Sequence, residues 1–208
     1  MMKIEKITGP DRAGRYRVTF SNEQVMRLYR QTVEDFSLYT GAELDEEVFS
    51  QLEASAAQMS AKMRAVRIIS ASSVSRKDLQ HRLVQKGEDP ACAENAVQWL
   101  SEMNLLDDRK TAEQVVSACI RKGYGVARAK QALYEKRIPK TYWDEVLTDY
   151  PDQQEAILSF LRSRLTGQWE EKELRRTIDA LIRRGHSYTD IKKALRELEQ
   201  DVEFLEEG

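Results

Sequence analysis

At 208 residues and 24.1 kDa, the chain can form one large domain or two to three small modules. Hydrophobic residues make up 41% and charged residues 33%, with a mean hydropathy of −0.63; this suits thin modules with much surface better than one thick core, and no apolar run approaches the roughly 20 residues that cross a bilayer. The formal net charge of −2 hides a division: residues 1–60 carry 7 basic and 10 acidic groups, 61–148 carry 16 and 11, and 149–208 carry 10 and 14, so a basic middle third sits between acidic flanks and points to an anionic partner there.

The first 30 residues read as strands. Lys3–Thr8 and Arg15–Phe20 alternate polar and apolar residues around a turn-rich Gly9–Gly14, and Val25–Arg30 is a weaker third strand. Such a meander needs a cover for its apolar face. From about residue 31 the pattern turns helical, with a break at Gly41 and a new acidic helix start at 43–47. From Ser60 onward, helices of 10–16 residues alternate with short loops. Ser75 and Asp78 resemble a capping box with Asp in place of Glu. Pro90, Pro139 and Pro151 suit first helical positions, and Gly87 and Gly185 each follow a helix with a basic last turn.

A repeat underlies this region. Leu83-Val84-Gln85-Lys86-Gly87, Leu133-Tyr134-Glu135-Lys136-Arg137 and Leu181-Ile182-Arg183-Arg184-Gly185 align at separations of 50 and 48 residues. Seven residues past the basic position come Ala93, Trp143 and Ile191; eleven past it come Val97, Leu147 and Leu195. Each unit also has an apolar helix upstream. The expected fold is therefore mostly α: three tandem three-helix repeats in an elongated curved array, preceded by a small N-terminal β-rich module. The expected divisions are 1–40 for the β-rich module, 41–60 for a linking helix, and 61–107, 108–150 and 151–208 for the repeats. The third repeat carries an insert, Thr166-Gly167-Gln168-Trp169.

These units resemble the RecX family, bacterial regulatory proteins that modulate the RecA recombinase. The resemblance rests on Leu105-Leu106-Asp107-Asp108-Arg109-Lys110-Thr111-Ala112, on Arg121-Lys122-Gly123-Tyr124-Gly125 with Arg128-Ala129-Lys130-Gln131-Ala132-Leu133, and on Ser75…Asp78-Leu79…Leu83…Lys86-Gly87, and covers about 65–200. Longer members also carry an N-terminal β-rich extension. Thr111 departs from the family's usual aromatic, which loosens the expected packing there, and Arg137 departs from a frequent Gly, which puts a left-handed helix cap in question. The resemblance implies a regulator that lies in the helical groove of the RecA–DNA filament and restrains it, in DNA repair, recombination and the SOS response.

Candidate sites follow. The basic set Arg121, Lys122, Arg128, Lys130, Lys136, Arg137 and Lys140 offers forks and ammonium groups to phosphate or to acidic protein side chains, with Tyr124 available for contact between two glycines. Arg128 and Lys136 are expected to share a helix face, with Lys130 and Arg137 on a neighbouring one. Leu106, Asp107, Asp108 and Ala112 read as structural: an N-cap and first-turn charge with Leu105 and Leu106 packing below, and no third carboxylate or His completes a catalytic or metal set. Arg175, Arg176, Arg183 and Arg184 read as a solvated helix face, Trp99, Trp143 and Trp169 as core, and His81 as exposed. Cys92 and Cys119 lack CxxC spacing and read as reduced, partly buried thiols; with only His81 and His186 beside them, no metal centre is expected.

No nucleotide-loop, nucleophile-elbow, zinc-protease or EF-hand motif is present, so neither catalysis nor a cofactor is expected. Met1–Lys6 lacks an apolar h-region and carries Glu5, so no secretory signal is expected and the chain is read as cytoplasmic and monomeric. The alternatives to a filament regulator are a DNA-binding module of helix-turn-helix-like units and an α-helical scaffold for another protein. The first needs a basic recognition helix in several repeats; only the second repeat is clearly basic, and the isoelectric point is near 5.9.

Overall fold

The structure, a computed structural model, describes residues 1–165 and 169–206, with side chains to Glu199. Two compact units divide it, Met1–Leu106 and Asp107–Gly208.

The first unit opens with an antiparallel sheet of β1 (Met2–Thr8), β2 (Arg15–Phe20), β3 (Val25–Tyr29) and β4 (Glu43–Leu44), in the order β3-β2-β1-β4. Alternation sends Ile4, Val18, Phe20 and Leu28 inward, all 1% exposed or less. Their cover is α2 (Glu46–Ala71), whose Phe49 and Leu52 complete this core. The Phe20 and Phe49 rings meet edge to face, 5.1 Å apart. The short helix α1 (Arg30–Asp35) links β3 to the rest. The sequence reading missed β4: Glu43 and Leu44 pair with Lys3 and Met2, and the helix start there falls to Asp45, which caps α2 by accepting from the Val48 N–H. A two-residue strand is too short to show alternation.

α2 is one continuous helix of 26 residues. Its N-terminal half serves the sheet, and Ala61 and Ala65 serve a second core with α3 (Arg76–Gln85) and α4 (Pro90–Glu102). Ser75 caps α3 through the Asp78 N–H at 3.1 Å, and the Asp78 carboxylate pairs with Arg82 at 2.9 Å. Buried Glu88, in the α3–α4 loop, takes Arg64 and Ser60 of α2. Pro90 opens α4 behind its cap Asp89.

The second unit holds two further three-helix cores. One joins α5 (Asp108–Arg121), α6 (Val126–Glu135) and α7 (Trp143–Leu147) around Ala112, Val116, Leu133 and Ile138. The other joins α8 (Gln154–Arg164), α9 (Glu171–Arg183) and α10 (Tyr188–Glu206) around Ile157, Leu161, Leu181 and Ile191. Pro139 precedes a 3₁₀ turn, Lys140–Tyr142, and Pro151 lies three residues ahead of α8, so neither opens an α-helix as the sequence reading had it. Of the insert, Thr166–Gln168 lie outside the described residues; Trp169 is half-buried against the last core.

The repeat is visible in the helix ends. Gly87, Arg137 and Gly185 each adopt φ between 53° and 88° after α3, α6 and α9. In each case the same pair of hydrogen bonds closes the helix: the left-handed residue's N–H donates to the carbonyl of Val84, Tyr134 or Ile182, and the next N–H to Leu83, Leu133 or Leu181. Arg137 therefore takes the left-handed cap that its side chain disfavours, at a cost of about 1–2 kcal/mol. Arg137→Gly is expected to exceed Arg137→Ala in stability by about 0.5–1 kcal/mol. The Ala variant removes the side chain and keeps the strain, so equal urea midpoints for the two would refute a strained cap.

Candidate interaction surface

The α5–α6 and α9–α10 turns interlock. The Gly125 N–H donates to the Arg184 carbonyl at 2.9 Å. A Cβ on Gly125 would lie 2.1 Å from the Gly185 oxygen, and one on Gly185 would lie 2.3 Å from the Arg128 nitrogen, so the two backbones approach closer than any side chain permits. The Arg184 guanidinium lies over the Phe160 ring at 4.4 Å and the Tyr124 ring at 5.9 Å. The Tyr150 hydroxyl donates to the Tyr124 carbonyl at 2.6 Å, and burial pushes the Tyr150 pKa up to about 12.

His186 seals this junction. It is 6% exposed, and its Nε2 lies 3.0 Å from the Gly123 carbonyl. A carbonyl only accepts, so Nε2 carries the hydrogen. Nδ1 is buried with no hydrogen-bond partner among the described residues. Burial, reinforced by Arg184 nearby, holds the ring's pKa below its ordinary value. The stability that comes from the neutral ring is therefore complete above the unfolded histidine's pKa of about 6.5 and is lost as pH falls through the depressed folded value. Between pH 7.5 and 5.5 the urea midpoint of the native chain is expected to fall more than that of His186→Gln; equal shifts would refute this role.

The sequence-predicted basic residues divide into groups. Arg121, in the last turn of α5, donates to Ser117 at 3.1 Å, and Lys122 follows it, exposed. Arg128 is tied up: its Nη1 meets the Glu135 carboxylate at 3.0 Å, which Gln131 also contacts. Lys130 is exposed on α6 and borders a cleft with His186, Ser187 and Asp190. Lys136 and Arg137 end α6, and Lys140 opens the 3₁₀ turn. The ten residues of α6 set its two ends about 15 Å apart, so the seven basic residues do not converge on one point. Tyr124 is half-buried, its ring facing Arg184 and its carbonyl taken by Tyr150.

Asp107 accepts from the Lys110 N–H at 3.0 Å and caps α5. Thr111 donates back to the Asp107 carbonyl at 2.8 Å. Leu106, Asp108 and Ala112 are buried. Leu105, expected to pack beneath them, is 56% exposed instead. Among the described residues no cluster of His, Cys, Asp and Glu suits a metal ion, and no helix is long and apolar enough to cross a membrane. His81 and Cys92 are half-buried and Cys119 is buried; burial pushes both thiols up.

One feature escaped the sequence reading. Beside the fully buried Leu83, Leu133 and Leu181 stand Val84, Tyr134 and Ile182, exposed by 41%, 67% and 48%. All three occupy the same repeat position, two residues ahead of Lys86, Lys136 and Arg184. The aligned pentads carried the signal: successive helical residues point about 100° apart, so an apolar residue next to a core leucine at each repeat has no packing duty there.

A family model described as RecX, second three-helix domain, matches residues 107–147. The regulatory protein RecX of Halorhodospira halophila is 28% identical over 154 residues, 73% of this chain and 96% of that protein. The regulatory protein RecX of Streptococcus gordonii is 26% identical over 212 residues, 99% of this chain and 81% of that protein. A crystal structure of regulatory protein RecX superposes with a TM-score of 0.61 at 24% identity, over 93% of this chain and all of that one. RecX from Lactobacillus salivarius superposes at 0.58 and 20% identity, over 69% and 97%. Both structural likenesses concern the fold.

Proposed function

Since this chain belongs to the RecX family of regulatory proteins, we propose that it regulates the RecA recombinase without catalysis of its own, by binding the RecA filament on single-stranded DNA and restraining its activity in DNA repair, recombination and the SOS response in the cytoplasm. The groove of the filament is its proposed seat, and residues 61–107, 108–150 and 151–208 are its proposed contact modules, with Arg121, Lys122, Tyr124, Arg128, Lys130, Lys136, Arg137 and Lys140 as the basic set of the middle one. The observation that supports this most is the exposed apolar side chain, followed by a cation, at one position of every repeat. A ligand that itself repeats engages such a series with several weak contacts at once, and their combined strength exceeds any single one. Charged contacts around an apolar centre also make the binding salt-sensitive.

The test is ATP hydrolysis by RecA from the same organism on single-stranded DNA, with this chain at substoichiometric amounts. Inhibition is expected at protein concentrations well below those needed to bind bare single-stranded DNA. Tight, salt-sensitive binding to naked DNA with unchanged hydrolysis would favour the DNA-binding module instead. No effect of either kind would favour a scaffold for another protein.

A further inference from the structure

The charge of the N-terminal segment is sorted by face. Residues 1–60 are acidic overall, yet five of their seven cations lie on strands: Lys3, Lys6, Arg15, Arg17 and Arg27. Of the ten acidic residues, five lie on α1 and α2, at Glu34, Asp35, Glu46, Glu47 and Glu53, and only Glu5 and Glu43 lie on strands. The inner face of the sheet is apolar and covered by α2, so the outer face carries the positive charge.

Register concentrates that charge. Arg17 on β2 stands directly opposite Arg27 on β3, and Thr8 on β1 stands opposite Arg17 from the other side. Directly opposed side chains on neighbouring strands start about 5 Å apart, and like charges there destabilise a sheet. Acidic neighbours do not relieve this pair. Asp11, the carboxylate beside them, is engaged by Arg15 through its backbone N–H at 3.0 Å and its guanidinium at 2.9 Å. Lys6, Arg17 and Arg27 are exposed and make no side-chain ion pair among the described residues. Charged strands often guard a sheet edge against other chains. That accounts for Arg27 on the edge strand β3, but not for Arg17, whose strand is flanked on both sides. Thr8, Asp11, Arg15, Arg17 and Arg27 instead line one cavity of about 310 Å³.

We propose that this outer face is a second binding site, which takes the phosphate backbone of a nucleic-acid strand. Two opposed guanidinium forks match phosphodiester oxygens in geometry and charge. The neighbouring cations lie one strand spacing, about 5 Å, or two residues along a strand, about 7 Å, apart, so a closely charged polyanion meets several together. Its phosphates remove the repulsion that the empty face bears. The site is independent of the filament reading and stands or falls without it.

The probe is a fluorescein-labelled oligothymidylate titrated with the full chain at low salt, followed by anisotropy. Arg17→Glu with Arg27→Glu is expected to weaken binding by about tenfold or more, and to flatten the dependence of log affinity on log salt by about 1.4, the share of two single-strand phosphates. Arg17→Lys with Arg27→Lys is expected to retain most of the affinity. Thermal melting of the reversed pair should match the native chain; if it does not, Arg17→Gln with Arg27→Gln serves in its place. Unchanged affinity in the folded variant, or no binding by the native chain, would overturn the proposal. So would polyglutamate displacing the oligonucleotide as effectively at matched charge, since the face would then take an acidic polypeptide.

Discussion

Gly185→Ala is expected to lower the stability of the unit 107–208 by about 3 kcal/mol. Two effects combine at this residue. Its φ of 86° costs an L-residue about 1–2 kcal/mol. The added Cβ would also lie 2.3 Å from the Arg128 nitrogen and 2.6 Å from the Arg128 Cβ, so the start of α6 must move, at about 1–3 kcal/mol for overpacking. Two companions separate the effects. Gly87 has the same left-handed backbone and nothing within 4 Å of a built Cβ, so Gly87→Ala reports the backbone cost alone. Gly125 has φ of −75°, which alanine adopts freely, while its Cβ would lie 2.1 Å from the Gly185 oxygen; Gly125→Ala reports the steric cost alone. Urea denaturation of all three is the measurement. If Gly185→Ala costs no more than Gly87→Ala, the two turns are not held together as tightly as their geometry implies.

Serine at Val84, Tyr134 and Ile182 together should cost the chain most of its hold on the RecA filament while leaving its melting unchanged. These side chains are 41–67% exposed, so their loss removes little buried area and should change stability by less than about 0.5 kcal/mol each. At an interface the balance is different. An exposed tyrosine or branched aliphatic side chain that becomes covered is the kind of residue that dominates binding, at about 1–2 kcal/mol or more when truncated. The triple variant should therefore need at least tenfold more protein for half-inhibition of RecA ATP hydrolysis, and Tyr134→Ser alone should show the largest single effect. Unchanged half-inhibition in a folded triple variant would remove these three side chains from the contact and leave the basic residues around α6 as the candidates.

Much of the architecture was legible in order of residues alone, and for identifiable reasons. The strands β1, β2 and β3 alternate over five to seven residues, long enough for a period of two to show. The repeat was legible because its core leucines recur with a basic residue at a constant offset. Elements shorter than a period were not: Glu43–Leu44 reads as the edge of a helix until Met2 and Lys3 are placed beside it. Arg137 looked like a departure from a helix cap, yet it takes the left-handed backbone because the hydrogen bonds to Tyr134 and Leu133 require it.

The candidate surface divides in the same way. Residue type and local charge excess point to the stretch from Arg121 to Lys140, but a one-dimensional charge count cannot tell a free guanidinium from a committed one. Arg128 is committed to Glu135, and Arg184 lies over Phe160. The three repeats and the apolar faces that make them fold were legible in the order of residues, because both depend on periodic spacing within a helix or strand; the likeness to a family rests instead on the particular residues around Asp107 and Gly123. It takes the tertiary structure to bring Gly125 and Gly185 together backbone to backbone, to bury His186 against the Gly123 carbonyl, and to set Arg17 opposite Arg27 on the neighbouring strand. Each of these joins residues between ten and some sixty positions apart, and the spacing along the chain holds no record of which distant backbone groups the packing of helices and the register of strands bring within contact.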